Sequence, residues 1–292
     1  MKGILIVNHF LNSDKFSDIY ARLKSSAESL GISLLLTTNR ELMHVEGEPL
    51  PFAFLPDFIL FWDKDVLLAE RCESMGIPTF NSASAIAASD NKAIMHRRLH
   101  GLPMPKTIIA PMTFPNIGYT ELEFLDDVAS SLGFPLVVKE CCGSFGREVY
   151  LAKNMPALCE IVSRRGSVPL IFQELIRESF GRDIRINVVG GRVVAAMLRE
   201  STNGDFRSNI TLGGHAIGYS PTDAERELAV SAAERLGLDF AGVDILFCKG
   251  DEPILCEVNS NAHFKSTLDY TGIDMAEHIM THIVKKTGEI KK

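Results

Sequence analysis

The chain contains no apolar run that approaches the roughly 20 residues needed to cross a bilayer, so its sequence does not predict a membrane protein. It also lacks an excess of positive charge, because 30 Lys and Arg stand against 37 Asp and Glu, a formal charge of −7. Nucleic-acid-binding domains present a basic face, so this balance argues against a nucleic-acid partner. The apolar start is too short for a signal sequence and no small-residue cleavage site follows it. We therefore expect a cytoplasmic protein.

Metal-binding patterns of cysteine and histidine are also missing. The chain has six cysteines but no C-x-x-C pair, which excludes a zinc ribbon or a thioredoxin motif. We expect the cysteines to be reduced, as is usual in the cytosol. His278 and His282 stand one helical turn apart, a spacing that can bind zinc. Neither a following glutamate nor a third ligand is visible, so we interpret them as part of a partly exposed helix face.

The two common phosphate-binding loops are absent as well. The sequence contains no G-x-x-x-x-G-K-[ST], and no G-x-G-x-x-G follows the first predicted strand. Instead, Lys139 ends the apolar run 134–139, and Gly143 and Gly146 follow it. Glycines let backbone N–H groups approach an anion closely, and the lysine supplies a point charge. An ordinary hairpin turn explains the same residues equally well.

Two apolar runs near the end of the chain contain the most informative polar residues. Asp244 lies in the run 242–246, and Glu257 and Asn259 lie in and beside the run 254–258. Residues i and i+2 of a strand share a face, so Asp244 can join Glu257 and Asn259 from the other strand of a hairpin. Two buried carboxylates are costly without a partner, and Mg²⁺ prefers such oxygen ligands. We therefore predict a Mg²⁺ site; a solvated strand face is the alternative.

A third candidate segment looks like a hinge between two lobes. It contains Gln173, Glu174, Leu175 and Ile176, at the end of an apolar strand. Backbone groups at such a position can hydrogen-bond a purine while apolar neighbours sandwich it. A plain strand end is the alternative interpretation.

Further along the chain, polar residues suit the ribose and phosphates of a nucleotide. Asp183 can accept hydrogen bonds from ribose hydroxyls, whereas an exposed ion pair with Arg185 is the alternative. Arg207, Ser208 and Asn209 form a dense group of donors within a long polar loop. An arginine followed by hydroxyl and amide groups suits a phosphate or an acyl phosphate.

Element signals change along the chain. The first part alternates strands and helices, which is typical of a parallel sheet with covering helices, and later parts mix hairpins with helices. Asp90 is the expected N-cap of a helix that ends near His100. The expected strands of the first part are 3–7, 32–36 and 58–61. The expected helices are 17–30 and 66–75.

Together these motifs resemble the ATP-grasp superfamily, and within it the RimK-type ligases that join a carboxylate to an amine (alpha-L-glutamate ligases). The resemblance extends from Asp90 to the last predicted helix, and the order and spacing of the motifs make it specific. The residues on which it rests are Asp90-Asn91-Lys92, Val138-Lys139, Gln173-Glu174, Gly181-Arg182-Asp183-Ile184-Arg185, Gly204-Asp205-Phe206-Arg207-Ser208-Asn209, Ala241-Gly242-Val243-Asp244 and Glu257-Val258-Asn259.

The resemblance implies an α/β fold with an α+β core. It places a Rossmann-like pre-ATP-grasp domain at 1–89, a central lobe at 90–176 and a C-terminal lobe at 177–292. Its implied ATP-binding residues are Lys92, Lys139, Gln173, Glu174, Leu175, Ile176, Asp183, Arg207, Ser208 and Asn209, with Arg207 and Asn209 also catalytic. Its implied ligands for two Mg²⁺ (or Mn²⁺) ions are Asp244, Glu257 and Asn259.

By the same resemblance, ATP activates a carboxylate as an acyl phosphate, which an amine then converts to an amide. The expected product is an amino acid, such as glutamate, joined to a peptide, a protein or a small molecule. The alternatives are a dipeptide or carrier-protein amino-acid ligase, and a non-catalytic ATP-binding module. Relatives of this kind often form dimers or tetramers.

The chain departs from the pattern of the ribosomal-protein-modifying branch after the predicted metal motif. That branch tends to have Ser-Pro-Gly where this sequence has Ser260-Asn261-Ala262. Glu200 also replaces an arginine that is common there. From their position, His263 and Lys265 are candidates to contact an acidic substrate, and a solvated loop is the alternative.

Overall fold

A computed structural model describes residues 1–11, 14–143, 146–210, 213–250 and 252–290, without the side chains of Asp14 and Lys15. The expected glycine turn at 142–147, the polar loop at 200–214 and a frayed end at 290–292 therefore lie partly outside the described residues. The strands are β1 Lys2–Val7, β2 Ser33–Thr38, β3 Phe58–Trp62, β4 Thr79–Phe80, β5 Thr107–Ile109, β6 Leu136–Glu140, β7 Val149–Ala152, β8 Leu170–Glu174, β9 Arg182–Val189, β10 Arg192–Glu200, β11 His215–Gly218, β12 Phe240–Leu246 and β13 Ile254–Asn259. The helices are α1 Asp14–Ser29, α2 Val66–Ser74, α3 Ala83–Asp90, α4 Lys92–Arg98, α5 Phe124–Leu132, α6 Met155–Arg165, α7 Asp223–Leu236, α8 Lys265–Thr271 and α9 Met275–Ile290.

The first part of the chain forms a four-stranded parallel sheet in the order β2-β1-β3-β4. Strands β1 and β3 are almost continuously apolar because both of their faces are covered. Residues of α1 and α9 pack on one face, and residues of α2 and α3 pack on the other. The predicted alternation and the Rossmann-like arrangement are confirmed.

The remainder of the fold contains two antiparallel sheets. The first has the order β5-β8-β6-β7, and the second has the order β11-β10-β9-β12-β13. The hairpin β9–β10 turns at Gly190 and Gly191, whose φ angles of 56° and 71° suit a tight turn that favours glycine. The hairpin β12–β13 also forms, and it places Asp244 directly opposite Glu257. These two hairpins bring the predicted polar residues to one sheet.

One predicted helix start is wrong by one residue. Asn91, not Asp90, caps α4, because its side-chain oxygen accepts hydrogen bonds from the backbone N–H groups of Ala93 and Ile94. Asp90 is the last residue of α3 and forms an ion pair with Lys64. The sequence-based expectations do not include α3, because its run of Ala and Ser has little amphipathic contrast. Adjacent Asp and Asn residues are both good caps, so sequence alone does not select between them.

The cysteines behave as expected, since all six are free. His282 makes a structural hydrogen-bond contact, because its Nε2 lies 2.8 Å from Oδ1 of Asp239. No cluster of three or more His, Cys, Asp or Glu suited to a metal occurs within the described residues. Within the same residues, no helix combines the length and the apolar character needed to cross a membrane.

Two glycines provide a matched test of how tightly the parallel sheet is packed. A Cβ at Gly3 would lie 2.3 Å from the ring of Phe58, its neighbour on β3, whereas a Cβ at Gly288 in α9 would meet nothing within 4 Å. We expect Gly3→Ala to lower the free energy of unfolding by about 1–3 kcal/mol through overpacking. Gly288→Ala should raise it by about 0.5–1 kcal/mol, because alanine favours the helix. Urea unfolding measures both changes, and equal stability of the two variants would contradict the packing argument.

Candidate functional site

A cleft lies between the two antiparallel sheets. Its volume is about 880 Å³, which includes the space at its mouth that is open to solvent. All of the predicted nucleotide-binding residues line this cleft, together with Asp244 and Glu257, whereas Asn259 lines two neighbouring cavities. The cleft-lining residues that were predicted are Lys92, Lys139, Gln173, Glu174, Leu175, Ile176, Asp183, Arg207, Ser208, Asn209, Asp244 and Glu257.

Two buried lysines give the cleft an unusual charge. Lys92 is 8% exposed and Lys139 is 7% exposed, and both line the cleft. Neither forms an ion pair with a carboxylate within the described parts of the chain. The ammonium group of Lys139 lies 3.6 Å from the sulfur of Cys256, and burial raises the pKa of that thiol to about 11, so the thiol is neutral. Buried cations without partners are costly, and a bound polyanion removes that cost.

Side-chain contacts hold the hinge segment, which contains Gln173, Glu174, Leu175 and Ile176. Nε2 of Gln173 lies 2.9 Å from Nε2 of His96 and 2.9 Å from the hydroxyl of Thr107. Burial and the charge of Lys139 lower the pKa of His96 to about 4, so the imidazole is neutral at pH 7. Oε1 of Glu174 accepts a hydrogen bond of 2.7 Å from the backbone N–H of Lys106. These contacts fix the position of the backbone at Leu175 and Ile176.

The glycine turn touches the predicted catalytic loop. Nη1 of Arg207 donates a hydrogen bond of 2.6 Å to the carbonyl oxygen of Gly146, and Asp205 accepts hydrogen bonds of 3.0 Å and 2.7 Å from the same guanidinium. A Cβ at Gly146 would lie 2.6 Å from Oδ1 of Asn209, and its φ of 71° also favours glycine. A side chain at residue 146 would therefore displace Asn209 and strain the backbone, so glycine favours the close approach of the two loops.

A buried cluster of four charges lies beside the cleft, which three of them line. Arg199 on β10 pairs with Asp183 on β9 through hydrogen bonds of 2.7 Å and 2.6 Å, and the two residues are register partners. Arg185 on β9 pairs with its register partner Asp244 on β12. Arg199 also lies 3.1 Å from Oδ1 of Asp244, which joins the two pairs. The alternative of an exposed Asp183–Arg185 ion pair is wrong, since Asp183 pairs with Arg199 and is buried.

This cluster keeps Asp244 ionised. Burial alone would raise its pKa, but the charges of Arg185 and Arg199 overcome burial and hold the pKa at about 2. The two carboxylates in turn raise the pKa of Arg199 despite its burial. Arg199 was absent from the residues proposed from sequence, although its place next to Glu200, where the chain departs from its branch pattern, was a usable signal.

The predicted metal ligands lie on the adjoining strands. Asp244 and Glu257 face each other across β12 and β13, and the amide nitrogen of Asn259 is 3.3 Å from Oε1 of Glu257. A set of two carboxylates and one amide fits a hard cation such as Mg²⁺. Arg185 and Arg199 already contact both carboxylate oxygens of Asp244. A metal ion bound by Asp244 would therefore share that carboxylate with the two arginines.

A second and larger cavity adjoins the cleft. Its volume is about 2000 Å³, which also includes space that is open to solvent. Arg199, Asn209 and Glu257 line both spaces. The second cavity extends to the parallel sheet, where Asn8 and Asp63 line it, and His263 and Lys265 line it from the region of α8. Lys265 forms an ion pair of 3.3 Å with Asp269.

These sheets and the cleft between them define an ATP-grasp fold. D-alanine–D-alanine ligase from Bacillus anthracis, in a structure complexed with ATP, superimposes with a TM-score of 0.75, covering 99% of this chain and 98% of that chain at 17% identity. At that identity the likeness shows the fold alone.

Sequence comparison gives the family. The model of the RimK-like ATP-grasp domain matches residues 91–283, and the chain belongs to this family. It is 34% identical to human (Homo sapiens) N-acetylaspartylglutamate synthase A over 239 residues, which are 78% of this chain and 59% of that protein. The chain thus spans little more than half the length of that relative. It is also 34% identical to probable alpha-L-glutamate ligase 2 of Pseudoalteromonas atlantica, with 90% of each chain covered.

The charge cluster predicts a specific response of stability to acid. The pKa of Asp244 is lowered from 3.8 to about 2 on folding, so its contribution is complete above about pH 4 and is lost as the pH falls toward 2. We expect Asp244→Asn to be about 3–5 kcal/mol less stable than wild type at pH 7, because two buried guanidinium groups lose a partner. This difference should shrink below pH 4, as measured by urea unfolding across pH.

Asp18→Asn is the matched control for that experiment. Asp18 pairs with Arg22 on the surface, with side-chain exposures of 35% and 31%, and exposed pairs contribute little. The free energy of unfolding of Asp18→Asn should vary with pH in the same way as that of the wild type. A constant difference between Asp244→Asn and wild type from pH 7 to pH 2 would contradict the role assigned to the cluster.

Proposed function

We propose that this protein is an ATP-dependent carboxylate–amine ligase that forms an amide through an acyl phosphate. The main observation in favour is the pair of buried lysines, Lys92 and Lys139, which line the cleft without carboxylate partners. A triphosphate supplies the negative charge that they lack. Membership of the RimK-like ATP-grasp family agrees with this reading.

The chemistry follows from the two connected cavities. ATP lies in the cleft with its adenine at the backbone of Glu174–Ile176, its ribose near Asp183 and its phosphates near Lys92 and Lys139. A substrate carboxylate attacks the γ-phosphorus, which gives an acyl phosphate and releases ADP. An amine then attacks the acyl carbon, phosphate leaves, and the amide forms as the amine loses a proton.

The protein contributes mainly position and charge, as is usual in phosphoryl transfer. Arg207, oriented by Asp205, and Asn209 stabilise charge on the acyl phosphate and on the oxyanion that follows it. Asp244, Glu257 and Asn259 would hold Mg²⁺, which when bound neutralises charge on the phosphate oxygens. Arg199 and Arg185 keep Asp244 ionised for that task.

The reacting groups meet where the two cavities join, beside Arg199, Asn209 and Glu257. The larger cavity therefore holds the substrates other than ATP. Two of the relatives are named as glutamate-joining enzymes, so we propose glutamate as the first amine to test. The carboxylate partner is to be sought among small acids and peptides.

The activity test pairs L-glutamate with a panel of carboxylates, including N-acetyl-L-aspartate, in the presence of ATP and Mg²⁺. Phosphate release is measured with malachite green, and the product mass identifies the amide. ATP binding without phosphate release for any pair of a carboxylate and an amine would overturn the ligase proposal and favour an ATP-binding module.

Glu257→Gln tests the metal site without breaking an ion pair. We expect kcat to fall by about 100-fold or more, because a ligand that supports charge neutralisation is lost, and the Mg²⁺ concentration for half-maximal rate should rise. Glu277→Gln on α9, outside the cleft, should leave both quantities unchanged. Near-normal kcat and Mg²⁺ dependence in a folded Glu257→Gln protein would remove Glu257 from the metal site.

A further inference from the structure

The larger cavity contains a buried carboxylate that forms no ion pair with any of the described side chains. Asp63 is 5% exposed and lines this cavity. Its contacts are hydrogen bonds of 3.2 Å from Nδ2 of Asn8 to each of its oxygens, and one of 2.7 Å from the backbone N–H of Lys64. No ion pair to Asp63 occurs within the described residues, and burial raises its pKa.

Within the described part of the chain, the lysines and arginines that line the same cavity have other partners. Arg185 and Arg199 pair with Asp244 and Asp183, Lys64 pairs with Asp90, and Lys265 pairs with Asp269. The hydroxyl of Tyr20 is also buried without a hydrogen-bond partner among the described residues. Burial, and then the negative charge of Asp63, raise the pKa of Tyr20 to about 12. Among the described side chains, Asp63 thus has hydrogen-bond donors but no ion-pair partner, and the hydroxyl of Tyr20 has no hydrogen-bond partner.

The position of Asp63 in the fold is one where ligands bind. Asn8 and Asp63 directly follow the parallel neighbours β1 and β3. Residues of α1 and α2, the helices that follow these two strands, pack on opposite faces of the sheet, so β1 and β3 flank the topological switch point. In open α/β sheets the crevice beyond the carboxyl ends of such strands is the usual ligand site.

We propose that Asp63, supported by Asn8, binds the ammonium group of an amino-acid substrate. A protonated amine is compact and carries three donors, so it supplies both the charge and the hydrogen bonds that this site lacks. The assignment rests on the proposed function, because it takes the larger cavity as the place where the ligase holds its substrates. It adds a subsite on the parallel sheet, outside the segment matched by the family model.

The test compares amino acids with counterparts that lack only the amine: L-glutamate with glutarate, L-aspartate with succinate, and L-alanine with propionate. Each is titrated calorimetrically onto the full chain saturated with Mg²⁺ and a non-hydrolysable ATP analogue. We expect at least one amino acid to bind about tenfold or more tighter than its counterpart, as charged hydrogen bonds usually give. Asp63→Asn should lose this preference, and Asp63→Glu should recover part of it.

Asp65→Asn is the matched control, since it makes the same change two residues along. Asp65 caps α2, asparagine caps equally well, and Asp65 lines none of the cavities described above. This variant should keep the wild-type preference. The ratio of the two affinities, for an amino acid and for its counterpart without the amine, is measured within one protein. Differences in folded fraction between the variants therefore cancel. The ligand-free Asp63→Asn protein should unfold at the wild-type temperature or above, because an unpaired buried charge is removed.

Two outcomes overturn the subsite: no preference for the amine in any of the three wild-type pairs, or an undiminished preference in Asp63→Asn. A melting temperature of Asp63→Asn well below wild type, with the preference retained, would show a structural role instead. Phosphate release is scored separately. If no substrate pair releases phosphate while the preference for the amine depends on Asp63, the ligase proposal fails and the ammonium subsite stands.

Discussion

The cluster of Arg199, Asp183, Arg185 and Asp244 is the constraint on which the rest of the site depends. Four charges lie buried across three adjacent strands, and their formal charges cancel only when all four are present. Removing one leaves an unpaired charge away from water, which costs far more than an exposed pair contributes. The cluster therefore favours the observed register of β10, β9 and β12, and the separate β12–β13 pairing places Asp244 opposite Glu257.

Two lysines of the cleft have the opposite property, because neither forms an ion pair with a carboxylate within the described residues. Lys92 and Lys139 come from the side of the cleft that faces the cluster, and they are buried without carboxylates of their own. A charge-balanced cluster beside two lysines without ion-pair partners suits a ligand that brings its own negative charge. The hinge at Gln173 is held by neutral partners, so it adds no charge that would compete with this ligand.

The sequence allowed half of the cleft residues to be predicted, 12 of the 24 that line it, because each lies beside a clear element signal. Lys139 ends an apolar strand, Gln173 and Glu174 end another, and the alternation of a strand puts Glu257 and Asn259 on one face. The errors concern partners, not positions. Asp183 and Arg185 lie on the same face of one strand, which suggested an ion pair between them. Each instead pairs with a residue on a different neighbouring strand. Asp90 and Asn91 are equally good caps, and only the course of the chain after α3 selects Asn91.

The sequence by itself determined the parallel sheet, the two later hairpins and the family, since periodicity, turn residues and motif spacing are local properties of the chain. Only the tertiary structure decided that Arg199 belongs to the site and that the cleft shares lining residues with a larger cavity. It also decided that Asp63 lies buried there without an ion-pair partner among the described side chains. The physical reason is that charge balance in a buried site is set by which strands become neighbours. Strand β12 begins 51 residues after β9 ends, so no local pattern specifies that pairing.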